Sequence, residues 1–174
     1  MSSLALVPLS DYLARTMDPD CEYVEGRLVE RNVGEISHGD AQGRTYAYIL
    51  SNARGFWAGV EIRVQVRPDR YRVPDVVVVR GGRPAGRIIS SPPETSPPEV
   101  AVEVLSPEDR ATDVQDKIYD YLQFGIASVW LIDPERQRAW IHTKEGAREA
   151  SDQVLRNPAG DLEVPLSAVF PDPA

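Results

Sequence analysis

Two carboxylates sit inside stretches that otherwise read as dry strands. Asp75 follows Pro74 and precedes four valines, Val76 to Val79, and Glu103 lies within Val102-Glu103-Val104. Taking an unpaired charge out of water is expensive, so acids in such places need neutralising. A shared cation does this for both at once. The two are separated by 28 positions, the length of a strand, a loop and a neighbouring strand. On adjacent strands they would converge at one end of a sheet. A hard divalent ion such as Mg²⁺ or Mn²⁺ takes one or two protein carboxylates, several waters and substrate phosphate oxygens, and would suit that pair. The structural alternative is an aspartate closing a strand end after a proline and a glutamate at a sheet surface.

Lys117 is the third candidate. The chain has two lysines, Lys117 and Lys144, among its 19 basic residues, so a lysine here is not generic surface filling. On a helix advancing about 100° per residue, Lys117 flanks the apolar stripe Val114/Ile118/Tyr121, from which its ammonium could reach along the sheet end. Spacing leaves a second reading open, because Asp113 four residues earlier is well placed for an i,i+4 surface ion pair.

The elements that must position these groups follow from period and punctuation. Leu9 to Ala14 reads as a short helix with Ser10 as its cap, ended by the Asp18-Pro19-Asp20 turn. Glu22–Val24 and Leu28–Val29 flank Glu25-Gly26-Arg27, a tight hairpin. Ser37 and Asp40 form a capping pair for a helix running to about Phe56, with Ala41, Tyr48 and Ile49 near one face. Val60, Ile62, Val64 and Val66 alternate with polar residues as a half-buried strand. The next strand, about Arg72 to Val79, must be covered on both faces because its valines cannot all point one way. Gly81 to Pro98, with five prolines, is a long irregular loop. Glu99 to Leu105 is a further strand. Ser106-Pro107-Glu108-Asp109 reads as a helix start and Gly125 as its C-terminal cap. Ser128–Ile132 and Arg138–His142 are two more strands around Asp133-Pro134, before an edge strand and tail.

At 174 residues and 42% hydrophobic content the chain suits one domain, residues 1–174, with its core at about 10–145. Its single cysteine, Cys21, excludes an internal disulfide framework and a cysteine-based zinc site, and suits a reducing compartment. No segment approaches the roughly 20 apolar residues of a bilayer span, so a soluble, cytoplasmic protein is expected. A net charge of -8 argues against a dedicated non-specific nucleic-acid binder. Its distribution argues the other way, since Arg63, Arg67, Arg70, Arg72, Arg80, Arg83 and Arg87 are opposed between positions 63 and 87 only by Asp69 and Asp75. That basic stretch either solvates a hairpin and loop or faces phosphates.

The ordered set Tyr23-Val-Glu-Gly-Arg-Leu-Val-Glu30, a helix beginning near His38, Val73-Pro-Asp-Val-Val-Val78, Val102-Glu-Val-Leu-Ser-Pro107, Asp113 with Lys117 and Tyr121, and Gly125 to Asp133 resembles the Uma2 family, within the PD-(D/E)xK nuclease superfamily. The resemblance covers roughly residues 10 to 170. It implies a restriction-endonuclease-like α/β fold, a mixed β-sheet flanked by helices, with Mg²⁺-type metal binding and phosphodiester hydrolysis. In the wider superfamily a lysine lies two residues after the acid on the same strand, a position held here by Leu105; in the Uma2 pattern a lysine on the following helix is similar to its replacement, matching Lys117. His38 matches a histidine of the pattern, and Glu22 fits it better than Glu25 as an additional acid. Ser106 is read as a cap, and Trp140 and His142 as structural.

The expectation is therefore a metal-dependent endonuclease acting on nucleic acid, with DNA as substrate. Asp75 and Glu103 would bind Mg²⁺ or Mn²⁺, helped by a backbone carbonyl near Val104, and Lys117 would orient the attacking water or stabilise developing charge. Double-strand cleavage usually needs two active sites, so a homodimer is consistent with this reading. Two alternatives stay open: a catalytically silent nuclease-like binding module, and a metal-dependent hydrolase of small phosphodiesters.

Overall fold

The computed structural model describes residues 6–15, 20–32, 34–90 and 96–170. Asp18 and Pro19 of the expected turn, and residues 91–95 of the long loop, lie outside them. Two sheets carry the site. The smaller contains β1 (Cys21–Val24), β2 (Arg27–Glu30), β4 (Val64–Arg67) and β5 (Arg70–Arg72) in the order β2-β1-β5-β4. The larger is formed by β3 (Phe56–Val60), β6 (Val76–Arg80), β7 (Val100–Val104), β8 (Ser128–Asp133), β9 (Arg138–Thr143) and β10 (Gly146–Glu149), in the order β10-β9-β8-β7-β6-β3. The expected mixed sheet is present. β7 and β8 run parallel, joined by the crossover helix α3 (Ala111–Phe124), while the other neighbours in that sheet are antiparallel.

Alternation along β6 and β7 divides the core in two. Val76, Val78, Val100 and Val102 face Ala41 and Ile49 of α2 (Ile36–Asn52), whereas Val77 and Ala101 face Val114, Ile118 and Tyr121 of α3. Both faces of β6 are thus dry, as four successive valines require. The C-terminal segment joins the α2 side: Leu155 of β11 (Val154–Arg156), Val164 of β12 (Glu163–Pro165), and Leu166 and Val169 of α4 (Leu166–Val169) are buried there. At the other end of the chain, α1 (Leu9–Ala14) docks through Tyr12, stacked on Tyr23 with ring centroids 5.2 Å apart.

Local boundaries differ from expectation where backbone chemistry overrides pattern. The stretch Arg72 to Val79 is not one strand: β5 ends at Arg72 and β6 starts at Val76 in the other sheet. Pro74 lacks the N–H a ladder needs, so the chain passes between sheets at Val73-Pro74-Asp75. The alternating run at 60–66 is also broken, because Glu61 adopts a positive φ of 52° between β3 and β4. Helix α2 ends at Asn52, and its expected Ser37/Asp40 capping pair is absent: Ser37 donates to Glu135 and Asp40 accepts from Arg44. Ser106 does not begin α3. Its N–H donates to Asp109 Oδ2 and its carbonyl accepts from the Asp109 N–H, closing a separate turn, and the helix starts after Arg110. The hairpin turn and the Gly125 cap are as expected. Glu25 and Gly26 take φ values of 50° and 84°, the pair of left-handed conformations of a two-residue turn, and Gly125 ends α3 at φ 107°.

Candidate active site

The antiparallel register of β6 and β7 pairs Val76 with Val102. One step further along the same register, Asp75 stands opposite Glu103 at the sheet end. The two carboxylates are thus cross-strand neighbours. The loss of ladder pairing at Pro74 leaves the Val104 N–H free to donate to Asp75 Oδ2, at 2.7 Å.

Each acid is neutralised by side chains that the fold brings from elsewhere. Asp75 accepts from Arg31 Nη2 at 3.1 Å, and His38 Nε2 lies 3.4 Å from its Oδ2. Burial alone would push the Asp75 carboxyl up; His38, the Val104 N–H and Arg31 outweigh this and hold it below the usual range. The same contact with Asp75 pushes His38 above its ordinary value. Glu103 is the opposite case. Burial pushes it up to about 7, with Asp75 and Glu22 adding repulsion, although Lys117 and the Tyr121 hydroxyl pull it back.

Lys117 decides between its two readings. Its Nζ lies 3.2 Å from Glu103 Oε2 and 3.5 Å from Glu22 Oε1, and the described ion pairs include none with Asp113. Burial would lower its pKa, but Glu103, Glu22 and Asp75 together raise it, keeping the ammonium charged. Tyr121, one helical turn further on, donates to Glu103 Oε1 at 2.7 Å. Glu22 is itself buried on β1, taking Arg72 Nη1 at 2.7 Å and the Val73 N–H at 3.0 Å. The hairpin acid that fits the family pattern therefore enters the site, and Glu25 instead pairs with Arg70 away from it.

Arg67, Arg70 and Arg72 do not form a free phosphate-facing row. All three converge on Asp120 of α3, which is 2% exposed, at 2.7–3.0 Å. A cleft of about 400 Å³ opens beside the site, lined by Glu22, Arg31, Arg72, Asp113 and Lys117 among others. Sequence reasoning missed Arg31 and took Tyr121 as core. Arg31 comes from just beyond β2 and carries no local signal. Tyr121 does belong to the apolar stripe and buries its ring there, while its hydroxyl reaches the acid.

Among the described residues no group of three or more His, Cys, Asp and Glu side chains is arranged to hold a metal. The donor set nevertheless suits a hard divalent ion: two buried carboxylates side by side, whose charge is currently balanced by cationic side chains. Such an ion would take over part of that balance.

The fold and this arrangement define a nuclease-type α/β protein with acids and a lysine gathered at one sheet end. The model of the Uma2 family, described as "Putative restriction endonuclease", matches residues 9–172, and the chain belongs to that family. A crystal structure of a "putative nuclease belonging to DUF820" from Anabaena variabilis ATCC 29413 is similar, with 23% identity and a TM-score of 0.77 over 94% of this chain and 97% of that one. At that identity the likeness is one of fold. A comparison with curated proteins finds no match. Family membership supports nuclease function and, with it, nucleic-acid binding. Among the described residues no helix is long and apolar enough to cross a membrane.

Proposed function

We propose that the chain is a metal-dependent endonuclease that hydrolyses phosphodiester bonds in DNA, with Asp75 and Glu103 as ligands of Mg²⁺ or Mn²⁺ and Lys117 as the catalytic cation. The observation that carries this reading is the meeting of Asp75, Glu103 and Lys117 at the end of two adjacent strands, in a family described by endonuclease activity. When bound, the ion would polarise a phosphate oxygen and make a bound water more acidic.

The chain's own residues do the rest. Asp75 is kept ionised by the Val104 N–H, His38 and Arg31, so it is ready to act as a ligand. Tyr121 fixes the Glu103 carboxylate from the helix side. Lys117 keeps its proton, so its ammonium serves to hold the attacking water or to stabilise the charge developing on the phosphate, rather than to act as a base.

The test is cleavage of plasmid and labelled oligonucleotides with Mg²⁺ or Mn²⁺ by the wild type, Asp75→Asn and Glu103→Gln, with circular dichroism confirming the fold. The wild type should cut only with metal, and each variant should lose at least about a hundredfold in rate. Full cleavage by both folded variants would remove this mechanism. Hydrolysis of a chromogenic phosphodiester without cleavage of polynucleotide would instead point to a small-phosphodiester hydrolase.

A further inference from the structure

A second cleft, of about 620 Å³, lies between α1, the turn joining β3 to β4, and the loop at residues 83–89. Arg15, Arg63, Arg83 and Arg87 line it, with Trp57 and Glu61. In a chain of net charge -8 this is a local reversal of sign. The arginines near it in sequence behave differently: Arg67, Arg70, Arg72 and Arg80 are each held by a carboxylate, whereas the four in the cleft have no carboxylate partner among the described residues.

The cleft is preformed. Ile89 is stapled to the start of β4 by its N–H to the Arg63 carbonyl at 2.9 Å and by its carbonyl to the Gln65 N–H at 2.8 Å. Arg63 is fixed across the Tyr12 ring, 4.3 Å from its centroid, and donates to the Tyr12 and Arg15 carbonyls, so it also ties down the α1 wall. Arg15, Arg83 and Arg87 are exposed at the rim. One wall of the cleft touches the site. Glu61 on its wall lies 3.8 Å from Arg31 Nη1 and donates its backbone N–H to the Asp75 carbonyl, and Arg31 in turn contacts the Asp75 carboxylate.

We propose that this arginine cleft is the track for the phosphate backbone of the nucleic-acid strand flanking the scissile bond, an inference that rests on the endonuclease reading. Arginines clustered in a concave setting without carboxylate partners among the described residues concentrate positive potential, and the exposed Arg15, Arg83 and Arg87 can recognise phosphates through their forked donors while Arg63 holds the wall. Glu61, which lines the cleft and contacts Arg31 and the Asp75 backbone, puts this track next to the acids, so that a strand held in it would run towards them.

Fluorescence anisotropy with a labelled oligonucleotide in EDTA, across a salt series, reads the cleft without catalysis. Arg83→Gln/Arg87→Gln should weaken binding more than tenfold at low salt and flatten log K against log[salt] by about 1.4–1.8, the release expected from two lost phosphate contacts. Arg27→Gln/Arg148→Gln removes the same charge from exposed strands elsewhere and should change binding less than threefold. In cleavage assays the cleft variant should raise KM with kcat held. Equal losses in the two variants, or no binding by the wild type, would overturn the cleft assignment. Normal cleft-dependent binding with no metal-dependent cleavage would leave the track standing and remove the catalytic reading alone.

Discussion

Replacing Lys117 by methionine separates the charge of the ammonium from the volume of its stem. The ammonium lies 3.2 Å from one carboxylate and 3.5 Å from another. At an effective dielectric constant of about 20, each contact amounts to about 5 kcal/mol of attraction. Desolvation of three ionised groups offsets most of that. The variant keeps Glu22 and Glu103, at 1% and 7% exposure, with no cation between them. Glu22 retains Arg72 and the Val73 N–H, while Glu103 retains the Tyr121 hydroxyl. The expected loss is therefore near the low end for a broken buried pair, about 3 kcal/mol at pH 8 in EDTA. Lowering the pH should shrink it, since a proton on Glu103 then replaces the missing ammonium. Mg²⁺ should shrink it too, because the ion supplies the missing positive charge and should bind the variant more tightly than the wild type; at saturation a tenfold difference in Kd closes the gap by about 1.4 kcal/mol. Urea denaturation of both proteins, in EDTA and in Mg²⁺, measures each quantity. A loss below about 1 kcal/mol in EDTA would refute the reasoning, and so would equal stabilisation of wild type and variant by Mg²⁺.

Tyr121→Phe should cost about 1–3 kcal/mol by leaving a buried Glu103 oxygen without its 2.7 Å donor; urea midpoints check this, and an unchanged midpoint would mean that the hydroxyl is replaceable. His142 on β9 is half-buried, its Nε2 has no hydrogen-bond partner among the described residues, and burial holds its pKa below 6.5. As pH falls through about 6.5 the unfolded chain binds a proton that the folded chain refuses, so stability present above 6.5 is lost on acidification. His142→Phe removes that term, and its stability should fall less than the wild type's between pH 7.5 and 5.5 in matched urea titrations. Equal falls in the two proteins would count against it.

What the sequence made legible depended on whether a residue's environment is local. The dry valines flanking Asp75 and Glu103 identify β6 and β7, and the interval between the two acids suggests that these strands are neighbours. Gly26 and Gly125 mark turns whose backbone conformations glycine adopts without strain. The failures were interruptions of a good pattern. Pro74 splits an apparently continuous strand between two sheets, and Glu61 breaks an alternating one, because tertiary pairing rather than period decides where a ladder ends. Long-range partners were the least legible. Arg31 reaches Asp75 across 44 positions, and Arg67, Arg70 and Arg72 reach Asp120 across about 50. Sequence shows that a charge exists and not which buried charge it answers.

The place of the lysine on a helix has a mechanical consequence. A lysine two residues beyond the acid would be set by the same strand, but Leu105 occupies that position, and Lys117 is positioned only as well as α3 is docked. Besides its apolar stripe, the helix is held by three polar residues at i, i+3 and i+4, which share one face. Lys117 and Tyr121 bind Glu103 of the larger sheet, and Asp120 between them binds arginines of the smaller one. Arg72 then closes the circuit by holding Glu22 against Lys117. The carboxylates and ammonium of the site are therefore fixed at the junction of two sheets by one helix. Disturbing the Asp120 clamp would displace the lysine without touching either acid, which makes α3 docking, rather than strand geometry, the feature on which the site's alignment depends.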